Sequence, residues 1–319
     1  MFPRVLLPLL LVMVGSAAQA AWPERPLRLI VPFPPGGPND AIARLVAEPL
    51  GQALGQPVVV DNRAGAGGTI GSEQGAKAAA DGYTLTLGST SSHSLPTVLG
   101  QRIGYSPSDS FAPIGMIGST PTVLLAANAV GVRGFPELLA RLRAEPGRLN
   151  YGSSGNGTLN HLAMESLKVR TGTFIVHIPY RGTGQAMADL ASGQIQLMFD
   201  AAITAGPQVK AGRVRALAIG GGRRLPELPD VPTFDELGLN GLHATLWIGL
   251  LAPAGTPAPG LERLGTELQA VLRRSEVRAR MASLGFEPMP GPPSALATLM
   301  RDERQAWSAV VRTQGLKAD

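Results

Sequence analysis

This sequence predicts an α/β fold divided into two lobes, and three observations carry that expectation. Short apolar, β-like runs alternate with helical patterns along the chain. Three of the turns between them are glycine-rich and lead into helices. The length left after the first twenty residues, about 300, suits two hydrophobic cores better than one.

The first twenty residues read as a leader. Arg4 supplies the positive end, residues 5–14 are apolar apart from Pro8, and Ala18-Gln19-Ala20 has the small-residue form of a cleavage site, so cleavage is expected before Ala21. The apolar run is about half of the ~20 residues that a membrane span needs. Residues 27–33 follow as a compact strand stopped by Pro34-Pro35-Gly36-Gly37. Ile42, Leu45, Val46, Leu50 and Leu54 recur at helical spacing behind Asn39 and Asp40, and Pro49 is expected to kink or interrupt that helix. A strand at 58–60, a glycine-rich turn, a small-residue helix toward Ala80 and a strand at 83–87 complete the first stretch.

The second stretch repeats the style without repeating the sequence. It has strands at 123–127, 149–151, 175–178, 195–199 and 214–219, with helices at 137–142, after the polar turn 153–158, and around Met187 and Leu190. A proline-rich return over 225–232 leads to a strand at 247–251. Two closing helices follow, carrying Leu261 to Leu272 and Leu296 to Val311.

Composition narrows the chemistry. The chain has no cysteine, which removes disulfides, thiolate catalysis and a lipoprotein anchor. The formal charge is +5, and loss of Arg4 with the leader leaves 27 basic against 23 acidic residues, or +4. That charge is spread thinly and aromatics are few, so no nucleic-acid surface is expected, only a modest attraction for anions. The segment from Gly65 to Gly71 misses G-x-G-x-x-G because Ile70 occupies the last glycine position, and no phosphate loop is present. Ser153 and Ser154 lack the flanking glycines of G-x-S-x-G, and His93, His161, His177 and His243 form no H-E-x-x-H pair. Neither a cofactor nor a metal is expected.

The turns at 34–40, 64–71 and 153–158 remain as candidate sites. In α/β sheets ligands sit beyond the carboxyl ends of strands, where helix N-termini offer free N–H groups to an anion. Glycine allows the backbone to come close. Ser91, Ser92 and His93 lie in a hydroxyl-rich run at a strand end, suited to a polar ligand or simply to capping. Asp40 is either a helix cap or the reader of a ligand amine or hydroxyl. Asp200 ends the strand 195–199 as a turn-former or a cleft residue. Arg181 is the cation best placed for a carboxylate.

These segments carry a family resemblance. VPFPPGGPND at 31–40, VDNRAGAGG at 60–68, DGYTL at 81–85, NYGSSGNGT at 150–158, IPYRG at 178–182 and LPDVPTF at 228–234 run in one order across the mature chain. In these the sequence resembles the Bug family, the TctC-like substrate-binding receptors of tripartite tricarboxylate transporters. The resemblance implies a type II periplasmic-binding-protein fold, two α/β lobes joined by two crossover strands. Residues 21–122 plus 221–319 would form lobe 1, and 123–220 lobe 2. It also implies a periplasmic monomer that captures a small carboxylate or amino acid and passes it to membrane permease subunits.

By the same resemblance Gly36, Gly37 and Asp40 hold one carboxylate, while Ser154, Gly155, Gly157 and Thr158 grip another. Two departures touch this region: Pro38 removes an N–H donor, and residues 90–97 lack the family's asparagine. A co-receptor for a sensor kinase and, more remotely, an exported small-ester hydrolase are the alternative readings.

Overall fold

In a computed structural model describing residues 22–317, the chain alternates strands and helices in two sheets that share one long strand. The expected leader and its cleavage point lie outside the described residues. β1 (Leu27–Val31) is almost wholly buried and leads into α1 (Pro38–Leu54). α1 passes through Pro49 as one helix, so the expected interruption does not occur. Pro49 forgoes a backbone hydrogen bond, but Val46, Leu50 and Leu54 are buried on either side of it. Each such side chain contributes about 1.5–3 kcal/mol, which offsets the lost bond.

β2 (Val58–Asn62), a 3-10 turn at Ala66–Gly68 and α2 (Thr69–Ala76) follow, α2 ending short of Ala80. β3 (Thr84–Ser89) then runs into a single π-helical turn, Thr90–Ser94, and α3 (Leu95–Val98).

β4 (Phe111–Ala127) is far longer than the strand expected at 123–127. Its first half contains Pro113, Gly115, Gly118 and Pro121, which read as turn residues in sequence. The structure absorbs them as register shifts at Pro113/Gly115 and Met116/Gly118. A side chain on Gly118 would meet the Glu287 carbonyl at 2.2 Å, so glycine is what lets the neighbouring chain approach.

Beyond β4 come α4 (Phe135–Ala144), β5 (Asn150–Ser153), α5 (Leu159–Thr171), β6 (Val176–Pro179), α6 (Thr183–Ser192) and β7 (Leu197–Ala201). α7 (Ala202–Lys210) was hidden in sequence by Gly206 and Pro207, and it leads to β8 (Val214–Ile219). The chain closes with β9 (Thr245–Pro253), α8 (Ala258–Arg273), α9 (Ser275–Ala282), the two-residue β10 (Glu287–Pro288) and α10 (Pro293–Gln314).

The first sheet has the order β2-β1-β3-β9-β4, with β10 on β4. In the second, β4 pairs with both β7 and β8, and β5 and β6 extend from β7. β4 changes partners at Thr122: up to Pro121 it pairs with β9, and from Thr122 onward with β7. At that point Thr122, Gly220 and Ala244 are joined by backbone hydrogen bonds of 2.8–2.9 Å. This waist is where the chain passes between the two halves. The loop before β9 rests on the second half, where the Phe234 ring packs 5.6 Å from Phe135 and 5.8 Å from Phe199.

Candidate functional site

β1 of the first sheet and β5, β6 and β7 of the second each lead into a helix, and the four helix N-termini line one cleft. Its lining comprises Phe33, Gly37, Pro38 and Asn39 at α1, Ser154, Leu159 and Asn160 at α5, Gly182 and Thr183 at α6, and Asp200 and Ala201 at α7. Pro34, Ser91, Thr122 and Leu246 complete the walls. None of the four helices has a side-chain cap hydrogen bond. Their aligned dipoles and first-turn N–H groups, of which the Leu159 N–H of α5 is taken by Ser91, make the cleft attractive to an anion. Among the described residues the lining contains no Lys, Arg or His.

The two halves touch across this cleft. The Leu159 N–H, at the start of α5, donates to Ser91 Oγ at 3.1 Å. A side chain on Gly37 would sit 2.9 Å from Thr183 Oγ1, and one on Gly182 would sit 2.3 Å from Pro34 Cγ. Both positions require glycine for this approach, and Gly182, at φ 142°, also adopts a conformation that other residues rarely take.

The residues singled out in sequence divide into three groups. Gly37, Ser91, Ser154 and Asp200 line the cleft. Gly155 and Arg181 line a neighbouring groove instead, facing the loop 64–70, and Arg181 is exposed to solvent there. The third group supports the site from behind. The Gly36 N–H donates to Asp40 Oδ2 at 3.0 Å, and Arg44 Nε and Asn62 Nδ2 both reach Asp40 Oδ1 at 3.0 Å. Burial pushes the Asp40 carboxyl up, but Arg44, the Gly36 N–H and Asn62 outweigh it and leave it below the ordinary carboxylate range. Asp40 is therefore the clasp of the first loop and not a cleft residue.

Thr158 and Gly157 are buried behind the second turn. The Thr158 hydroxyl lies 2.6 Å from the Gly155 carbonyl and 2.7 Å from Asn160 Oδ1, and the Gly157 N–H donates to His161 Nδ1 at 3.1 Å. Ser92 and His93 also miss the cleft. His93 Nδ1 lies 2.9 Å from Ser92 Oγ, and its ring packs 4.8 Å from Phe111. Burial, helped by the charge of Arg304, pushes this imidazole down to about 3, so it is neutral. Ser153 Oγ lies 2.7 Å from His177 Nε2, but Ser153 is fully buried and does not line the cleft, so it offers no accessible nucleophile.

Sequence reading missed four polar contributors: Asn39, Thr122, Asn160 and Thr183. Asn160 Oδ1 takes hydrogen bonds from Ser154 Oγ (2.9 Å) and Thr158 Oγ1 (2.7 Å), which leaves its NH₂ as the available donor. Asn39 Oδ1 and Thr122 Oγ1 are buried and have no hydrogen-bond partner among the described residues. Only the position of Asn39 and Thr183 at the start of helices could have marked them in sequence. Thr122 and Leu246 come from the waist, which has no local signature.

Asp200 is 2% exposed; Thr204 Oγ1 donates to its Oδ2 at 2.7 Å, and burial pushes its carboxyl up to about 7. Behind Ser91, Glu303 of α10 accepts hydrogen bonds from Thr90 Oγ1 (3.1 Å), Ser94 Oγ and Trp247 Nε1. It thereby ties the π-helical turn to β9. Burial pushes this carboxyl up to about 7 as well.

Comparison with known proteins agrees with this architecture. Residues 42–316 match TctC, the tripartite tricarboxylate transporter family receptor. Protein BugT of Bordetella pertussis is 38% identical over 300 residues, covering 93% of this chain and 91% of its own. The structure of R. palustris Rpa4515 with adipate superposes with a TM-score of 0.90 at 34% identity, covering 93% of this chain and 99% of that one. MatC from Rhodopseudomonas palustris with bound malate gives 0.87 at 33% identity, covering 91% and 100%. The chain belongs to the TctC family of tripartite tricarboxylate transporter receptors, the periplasmic solute-binding proteins that include the Bug proteins.

Proposed function

We propose that this protein captures a small carboxylate in the cleft and delivers it to the membrane subunits of a tripartite tricarboxylate-type transporter. The observation that carries the reading is the convergence of four helix N-termini, only α5 having its first N–H satisfied by another side chain (Ser91), on a cleft with no cationic side chain among the described residues. Such a site stabilises a carboxylate through N–H groups and dipoles. Adipate and malate, bound by two structural relatives, are both carboxylates.

In this reading lobe 1 comprises residues 21–122 plus 221–319 and lobe 2 residues 123–220, with the Phe234 loop returning to lobe 2. The protein is exported by a leader cleaved before Ala21 and works as a periplasmic monomer. Among the described residues no helix is long and apolar enough to cross a membrane. The ligand contacts both lobes only when they close, and that differential affinity drives closure.

A thermal-shift screen tests the reading, with the mature protein refolded from denaturant to strip carried-over ligand. A carboxylate at a hundred times its Kd adds about 2.7 kcal/mol, a rise of roughly 5 °C for a protein of this size. A rise with neutral or cationic compounds and none with any carboxylate would refute it. Co-purification with permease subunits, dependent on ligand, tests delivery.

A further inference from the structure

The carboxylate reading accounts for the helix N-termini but leaves three polar groups of the cleft unused. Asp200 is the sole ionisable side chain among the described residues that line it. It is 2% exposed, and within the protein it accepts hydrogen bonds from the Thr204 hydroxyl of α7 and from the Ala201 backbone. Thr122 and Asn39, 2% and 4% exposed, line the same cleft, each with an oxygen that has no hydrogen-bond partner among the described residues. Thr122 and Asp200 sit at neighbouring positions of the β4–β7 ladder, one register step apart, and both line the cleft.

Resting on the carboxylate reading, we propose that the cleft selects carboxylates whose carbon chain bears a hydrogen-bond donor, a hydroxyl or an ammonium group, and that Asp200 accepts that hydrogen bond. A plain dicarboxylate supplies no donor to Asp200, and with no cation in the lining its second charge has only N–H dipoles and hydroxyls to meet. A hydroxyl or ammonium gives the buried carboxyl the partner that an ionised group in such a place requires. Burial alone holds the Asp200 carboxyl up near 7, so a donor from the ligand also favours its ionised form.

The test is calorimetric titration of the refolded protein with matched acids of three to six carbons, unsubstituted, 2-hydroxy and 2-amino at each length. The hydroxy or amino member of at least one length should bind tenfold or more tighter than its unsubstituted counterpart, and their ranking tells which donor is read. Asp200→Asn, of nearly equal volume, should reduce that preference to threefold or less while plain-acid affinity holds or rises. Unsubstituted acids binding as tightly as their substituted partners would overturn the inference and leave the carboxylate reading intact. A full preference in Asp200→Asn would likewise remove Asp200 from the role. Failure of every acid to bind would overturn the carboxylate reading, and this inference with it.

Discussion

Replacing Glu303 with glutamine should make the ligand-free protein more stable at pH 8 and leave it nearly unchanged at pH 5. Oε2 of Glu303 accepts from Ser94 Oγ and Trp247 Nε1, and Oε1 from Thr90 Oγ1. A glutamine can place its oxygen where Oε2 lies and donate its NH₂ to Thr90 Oγ1, much as the protonated acid does. Burial raises this carboxyl from 4.5 to about 7. Between those values the folded protein keeps a proton that the unfolded chain releases, so the site's contribution to stability falls as pH rises. The loss is complete just above pH 7 and amounts to about 3 kcal/mol. Glutamine does not titrate, so the advantage of Glu303→Gln over wild type should grow by most of that amount, about 2.5 kcal/mol, between pH 5 and pH 8. Urea denaturation of both proteins at pH 5, 6, 7 and 8 measures the difference, and Asp200, present in both, cancels. A difference that stays flat, or that turns against the variant as pH rises, would refute the reasoning.

Other perturbations follow from the same geometry. Asp200→Asn should stabilise the ligand-free protein above pH 7 by up to about 4 kcal/mol, because burial raises that carboxyl from 3.8 to about 7; pH-dependent melting would show the gain vanish toward pH 4. Ser91→Ala removes the acceptor of the Leu159 N–H and should weaken ligand binding roughly three- to tenfold. Solution scattering should show a wider average opening. Gly37→Ala puts a carbon 2.9 Å from Thr183 Oγ1. It should weaken binding with little change in the ligand-free melting point, and Thr183→Ala should restore affinity in the double variant. Phe234→Ala empties a ring site between Phe135 and Phe199 and should cost about 3–5 kcal/mol, with hydrogen exchange rising first in β7 and β8.

The sequence disclosed the parts of this fold that depend on neighbours close along the chain. β1 and β8 are mostly apolar, β3 alternates apolar with polar residues, and α8 carries Leu264, Leu268, Val271 and Leu272 at helical spacing on its buried face. The first half of β4 was illegible because Pro113, Gly115 and Gly118 obey demands set by β9 and β10, which arrive more than a hundred residues later. The site shows the same division. Gly37, Ser154 and Asp200 were readable because they stand at strand-to-helix turns. Arg181 was favoured for its charge, yet it projects into a neighbouring groove, because this cleft relies on backbone N–H groups instead. His93 looked accessible at a strand end, but the π-helical turn carries it into the core.

The place of β9 in the first sheet governs when folding can finish. β9 lies between β3 and β4, hydrogen-bonded to both, although the whole of the second sheet separates β4 from it in sequence. Until residues 245–253 are present, β3 has an unpaired edge and the first half of β4 lacks its main neighbour. A chain threaded across a membrane N-terminus first would reach the far side with its leading half unable to close. Such late closure would slow folding, keep the chain pliable during passage, and make completion of the binding cleft one of the last events in the life of the nascent protein.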